Sequence, residues 1–358
     1  MKGHVRYLHA WSAAAIVVVG VGMATLPVGA QNDIQTVVSA AFSKYKDVKT
    51  GKNADYIPAL AHVDPSMFGI AVIGRDGKAY TAGDVGKEVS IQSISKVFTM
   101  ARVIQDLGPE AVEKRIGVDA TGMRFNSIVS VELSYKALGG PEMNPLVNPG
   151  AITATSMVPG ATADAVWNNI IGTYNDFAGR SLSVLQDVYK SESDSNQRNQ
   201  AIGMLMHAYG YIKQNPAQAT DLYTRQCSVG VTAKDLATMA ATLAFGGRNP
   251  VTGKQAIDSE KVPYVLAVMA TAGLYDDSGK WLYHTGLPAK SGVGGGIIAV
   301  APGKFGIAVV SPPLDEAGNS IRAQMAIREI ANRLALNPYA SKPSRAATGE
   351  PVPTSGQR

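Results

Sequence analysis

The sequence predicts an α+β fold: an antiparallel sheet assembled from both ends of the chain, flanked by N- and C-terminal helices, with a helical domain inserted between its halves. Three observations lead there. Two apolar hairpins lie towards opposite ends of the chain. An amphipathic helix precedes the first hairpin and another follows the second. The long stretch between the hairpins is mostly helical in texture.

In chain order, Asp33 to Tyr45 sets Ile34, Val37, Val38 and Phe42 at helical intervals, one apolar face of a helix. Phe68 to Ile73 is a buried-strand run, Gly74-Arg75-Asp76-Gly77 turns the chain, and Lys78 to Ala82 returns. Ser90 to Gln105 puts Ile94, Val97, Phe98, Ala101 and Ile104 on one helical face. Ala233 to Ala244, with Leu236, Met239, Ala240 and Leu243, is another helix, stopped by Gly246-Gly247. The second hairpin joins Gly294 to Val300 and Phe305 to Val310 through Ala301-Pro302-Gly303-Lys304, and Ile321 to Leu336 closes the fold as a helix. No internal repeat is visible. A cleft is expected where sheet and helical lobe meet.

Composition narrows the functional classes. Of 358 residues, 46% are apolar and 17% charged, as in an ordinary globular protein. The net charge of +5 is spread among acids rather than gathered in a stripe, which disfavours nucleic-acid binding. Lys2 and Arg6, an apolar run from Ala13 to Leu26 and small residues through Ala30 have the layout of a secretory signal, with cleavage expected after Ala30 and a periplasmic destination. The run is short for a membrane span and is interrupted by glycines. Cys227 is the only cysteine, so there is no intramolecular disulfide and no cysteine zinc site. Beyond the signal only His62, His207 and His284 remain, none at the spacing of a metal pair, and no metal or cofactor is expected. Residues 337–358, rich in Pro, Ser, Ala and Thr, read as a disordered tail.

Ser93-Ile94-Ser95-Lys96 is the first motif with chemistry in it. A serine hydroxyl needs a base within hydrogen-bond reach to act as a nucleophile. Residues i and i+3 share a helix face, so Lys96 can approach Ser93, and burial would lower its pKa enough to serve. Ser43-Lys44-Tyr45-Lys46 fits the same pattern in a charged stretch without such context. Ser93 instead opens an apolar helix whose free N–H groups could face a developing oxyanion. The second motif is Lys290-Ser291-Gly292, leading into the C-terminal hairpin. Active-serine penicillin-recognising enzymes pair an early Ser-x-x-Lys with a late Lys-[Ser/Thr]-Gly. Lys49-Thr50-Gly51 also fits but precedes a polar loop. Together these motifs imply serine acyl transfer without naming a substrate.

The surrounding runs name one. Ser90 to Phe98 closely resembles the nucleophile segment of the glutaminase family, which shares the fold of serine β-lactamases and transpeptidases. Tyr56-Ile57-Pro58, Asn144 to Ile152, Gln226-Cys227-Ser228, Gly273 to Asp276 and Gly286 to Val293 are similar to further motifs of that family, as are Ser311-Pro312-Pro313-Leu314-Asp315 and Gly318-Asn319-Ser320. The resemblance runs in order from about Ile34 to Leu336. It implies one enzyme domain over residues 31–336, with a sheet lobe near 31–90 and 285–336 and a helical lobe near 91–284.

Position by position, the resemblance implies Ser93 as nucleophile, Lys96 as its base and Tyr275 as a proton relay to departing ammonia. The backbone N–H groups of Ser93 and Val293 would form the oxyanion hole. Tyr56, Asn148, Glu192, Asn199 and Tyr223 match positions that hold L-glutamine: a carboxylate for its α-ammonium, amide and phenol donors for its α-carboxylate. The product would be L-glutamate, and a homodimer or homotetramer is implied. Departures are Pro149 after the motif asparagine, a loose match over 191–199, and the export signal, since relatives generally work inside cells. The rival readings are a β-lactamase or D,D-peptidase on the same fold, and a non-catalytic binder of amino acids.

Overall fold

The computed structural model describes residues 28–136, 140 and 143–340. The export signal and the C-terminal tail fall largely outside these residues. The strands are β1 (Gly69–Ile73), β2 (Ala79–Gly83), β3 (Val89–Ser90), β4 (Gly230–Val231), β5 (Ala289–Ser291), β6 (Gly296–Ala301) and β7 (Phe305–Val310). Five of them form one antiparallel sheet in the order β2-β1-β7-β6-β5. The two hairpins meet where β1 pairs with β7, Gly69 opposite Val310 and Ile73 opposite Gly306. An α+β fold with a sheet from both chain ends is thus what the sequence builds.

Both faces of the sheet are covered. Ile70, Val72, Ile297, Ala299, Ile307 and Val309 face one core, shared with Ile34 and Val38 of helix Val28–Tyr45 and Ile327 and Ile330 of helix Ile321–Arg333. Ala71, Ile73, Ile298, Val300, Ala308 and Val310 face the other core, shared with Leu236, Ala237, Ala240 and Ala241 of helix Ala233–Ala244. Alternate residues therefore face opposite apolar layers, which is why these strands read as unbroken apolar runs.

Helix 233–244 comes from the middle of the chain, within the stretch between the hairpins, yet it lies directly on the sheet. Small residues make this possible. A Cβ on Gly306 would stand 2.0 Å from Ala241 N and 2.4 Å from Ala237 O, so strand and helix backbones are in contact there. Only glycine fits such an approach.

The nucleophile region differs from the single helix expected over Ser90–Gln105. β3 pairs with β4, and Ile91 N–H donates to Val229 O at 2.8 Å, extending the pairing by one step. Gln92 then takes φ +48°, Gln92–Ile94 forms one 3₁₀ turn, and the α-helix proper is Ser95–Leu107. The strand pairing claims Ser90, and a left-handed residue cannot continue an α-helix, so the helix starts after the serine. Its apolar face, Val97, Phe98, Ala101 and Ile104, is buried in the same core as helix 233–244.

The Gly306 contact gives a direct test. Gly306→Ala is expected to destabilise the fold by about 1–3 kcal/mol, because a backbone-to-backbone approach has no side chain to yield. Urea unfolding measures it, and an unchanged midpoint would contradict the contact.

Candidate active site

Ser93 lies in the 3₁₀ turn and Lys96 in the first turn of helix 95–107, so the i, i+3 relation survives the change of helix type. Lys96 is 1% exposed. Its Nζ donates to Ser93 Oγ at 2.7 Å and to Asn148 Oδ1 at 2.8 Å. Asn148 begins helix Asn148–Met157, with Pro149 in the N-terminal position where a missing N–H costs nothing. The Asn148 N–H donates to Phe125 O at 2.7 Å. Its side chain is held from both ends. Oδ1 also accepts from Tyr223 OH at 3.1 Å, and Nδ2 donates to Asn199 Oδ1 at 2.8 Å. Five residues of the expected site are thus joined in one hydrogen-bonded chain.

Burial sets the charge states. It pushes the Lys96 amine down to about 8, while Cys227 and Glu192 pull the other way. The Cys227 thiol is itself pushed up to about 12 by burial, so it is uncharged at neutral pH and Glu192 is the only effective opposing charge. Glu192 is pushed up to about 7 by burial, partly offset by the hydrogen bond from Gln92 and by the Lys96 charge. Gln92 Nε2 donates to Glu192 Oε2 at 3.1 Å and to Ser90 Oγ at 3.2 Å. Glu192, which in its own segment reads as part of an exposed polar loop, sits on helix Gln186–Ser195 and is turned inward. The site therefore holds a buried amine and a buried carboxyl, both poised near neutral pH.

Tyr275 comes from a distant part of the chain, in a turn with φ +55°. Its OH donates to Ser291 O at 3.3 Å. Burial pushes the phenol up to about 12, with hydrogen bonds to Ser93 and Ser291 opposing. Just beyond β5, a Cβ on Gly292 would stand 2.8 Å from Ile91 O and 3.3 Å from Ser93 N, so this turn lies directly against the serine turn. Val293 follows at once. A cleft of about 970 Å³ reaches this point, lined by Tyr56, Phe125, Asp276, Val293, Asp315 and Gly318. Tyr56 is 53% exposed at its mouth, while the remaining expected site residues are buried or, for Asn199, half-buried.

Two contributors, Gln92 and Phe125, carry no signal in the sequence, and a third, Lys290, gains its partners only in the structure. Gln92 sits beside the nucleophile, but nothing in its spacing points to a partner a hundred residues away. Lys290 belongs to the second motif, Lys290-Ser291-Gly292. Its Nζ donates to Ser291 O at 2.6 Å and lies 4.0 Å from the centroid of the Tyr275 ring. Phe125 packs at a tilt against Tyr275, with centroids 4.8 Å apart, and belongs to no motif. Among the described residues no cluster of three or more His, Cys, Asp or Glu side chains is arranged to hold a metal.

Comparison with known proteins agrees with this geometry. Residues 51–339 match the Glutaminase family. A glutaminase of Colwellia psychrerythraea is 54% identical over 304 residues, covering 85% of this chain and 96% of that protein. A glutaminase of Mycobacterium ulcerans is 50% identical over 303 residues, 85% and 93% of the two chains. Among solved structures, the probable glutaminase YbaS superposes with a TM-score of 0.84 at 43% identity, over 87% of this chain and 99% of that one. Mglu in its glutamate form gives 0.82 at 36% identity, over 87% and 71%. With Ser93 bonded to Lys96 and Tyr275 brought against the same serine, the chain belongs to the glutaminase family.

Proposed function

We propose that this chain hydrolyses L-glutamine to L-glutamate and ammonia through an acyl-enzyme on Ser93. The observation that carries the reading is the Lys96 amine: buried, pushed towards its uncharged form, and hydrogen-bonded to Ser93 Oγ at 2.7 Å. In the uncharged amine that bond reverses, and the serine hydroxyl donates to the nitrogen lone pair.

Ser93 Oγ adds to the side-chain carbonyl carbon of glutamine as its proton passes to Lys96 Nζ. The carbonyl oxygen becomes an oxyanion, held by the backbone N–H groups of Ser93 and Val293. Collapse breaks the carbon–nitrogen bond. The nitrogen leaves as ammonia with a proton from Tyr275 OH, which is reprotonated from Lys96. Water then adds to the glutamyl ester and gives its proton to Lys96. The second collapse releases glutamate, and Ser93 Oγ recovers the proton. Glu192 pairs the α-ammonium. Tyr56 and Asn199 offer donors to the α-carboxylate, while Asn148, steadied by the Tyr223 hydroxyl beside the substrate, holds the amine in line. The scheme calls on no metal or cofactor.

The N-terminal layout through Ala30 supports export as part of the same proposal. Cell fractionation with N-terminal sequencing should find mature protein beginning at Gln31 outside the cytoplasm; uncleaved protein confined to the cytoplasm would contradict it.

Ser93→Ala is expected to lower kcat by about 10⁴-fold or more while glutamate still binds, since the pocket is intact. Ammonia release and calorimetry measure the two, and a variant keeping a tenth of wild-type turnover would refute the nucleophile. The pH dependence has a definite sign. Glu192, raised to about 7, gains its carboxylate as pH rises through 7, and Lys96, lowered to about 8, gains its uncharged form as pH rises through 8. Both effects increase kcat/KM in the same direction. A profile falling from neutral pH upward would overturn the lysine-base assignment.

A further inference from the structure

Segment 311–322 runs from the end of β7 into helix 321–333 and makes no contact with substrate in the scheme above. Yet it touches both walls of the site. On one side lies loop 46–67, which carries Tyr56. On the other lies the Tyr275 turn: Asn319 Nδ2 donates to Leu274 O at 3.4 Å, and a Cβ on Gly318 would stand 3.6 Å from Val293 and 3.8 Å from the Tyr275 ring.

The loop side is held by one guanidinium. Arg322 is 3% exposed. Its Nε donates to Ser311 Oγ at 2.7 Å. Nη1 donates to Lys46 O at 3.4 Å and Ser66 O at 3.3 Å, and Nη2 donates to Pro65 O and, at 3.0 Å, to Met67 O. Lys46 opens the loop, and Pro65 to Met67 close it. A second pin lies between these ends, where Lys52 N–H donates to Leu314 O at 3.1 Å and Leu314 N–H to Lys52 O at 2.7 Å.

We propose that Arg322 is a positioning residue for glutamine binding: it bonds both ends of loop 46–67 and thereby fixes Tyr56 at the mouth of the site. The proposal rests on the reading of Tyr56 as a substrate contact. Tyr56 is half-exposed at the cleft mouth, and its phenol is carried there by the loop backbone. A planar guanidinium spreads five N–H donors over three nitrogens and can reach Ser311 and both loop ends together; an ammonium has three donors on one atom and cannot span them all. Without the clamp the loop ends separate and Tyr56 must be ordered by the substrate, which weakens binding without changing the chemistry.

The test compares Arg322→Lys, Tyr56→Phe and the double variant. Arg322→Lys is expected to raise KM for L-glutamine about tenfold with kcat within about twofold, the pattern of lost ground-state binding. Tyr56→Phe should raise KM similarly, and the double variant should be no worse than Tyr56→Phe alone, since both act through one phenol. Under native conditions trypsin should cut after Lys49 or Lys52 faster in Arg322→Lys than in wild type, with other sites unchanged. If Arg322→Lys does not fold, Ser311→Ala removes only the Nε acceptor, and a rise in KM of about threefold is expected. An unchanged KM in the Arg322 or Ser311 variant, with Tyr56→Phe raised, sinks the clamp and leaves the Tyr56 contact standing. Independent, multiplying effects also sink it. An unchanged KM in Tyr56→Phe sinks the Tyr56 contact and the proposal with it.

Discussion

The chemistry proposed for this protein depends on an amine taken out of water. Lys96 Nζ is buried between Ser93 Oγ and Asn148 Oδ1, and burial is the largest influence holding it near its uncharged form. Lys46, three residues after Ser43, has the same spacing but is exposed just past the end of helix Val28–Tyr45. Asn148 makes the arrangement specific. Its amide oxygen accepts from both Lys96 and Tyr223, and its amide nitrogen is spent on Asn199, so the oxygen must face the amine.

The fold exists to keep that amine dry and aimed. Helix 95–107 is held by the core beneath the sheet, and helix 233–244 can close that core because alanines and Gly306 let backbones touch. The cost is local. Gln92 and Tyr275 both take positive φ values, on the order of 1–3 kcal/mol of strain each. In return Gln92 holds Glu192, and Tyr275 reaches the serine from a turn far along the chain. Strain at two positions beside Ser93 is consistent with a preorganised site.

The cleft has two walls with different support. The Tyr275 wall is stiffened by Lys290 under its ring and by a shared acceptor, Ser291 O. The Tyr56 wall is a loop with a small apolar anchor, Ile57 and Leu60 against Val293 and Leu314. Both walls lean on segment 311–322, which explains how residues that touch no substrate can belong to the functional unit.

Local patterning determined much by itself. Apolar runs broken by Gly-rich turns marked β1, β6 and β7; periodic apolar residues marked the terminal helices; and the i, i+3 spacing set Lys96 beside Ser93, because these relations span only a few residues. The substrate came from resemblance to a family, since spacing alone implies acyl transfer and nothing more. Only the tertiary structure decided that Glu192 is buried and poised near neutral pH, that Gln92 holds it, and that helix 233–244 joins the sheet. Burial and hydrogen bonds between residues a hundred positions apart are properties of packing, and no window of sequence contains them.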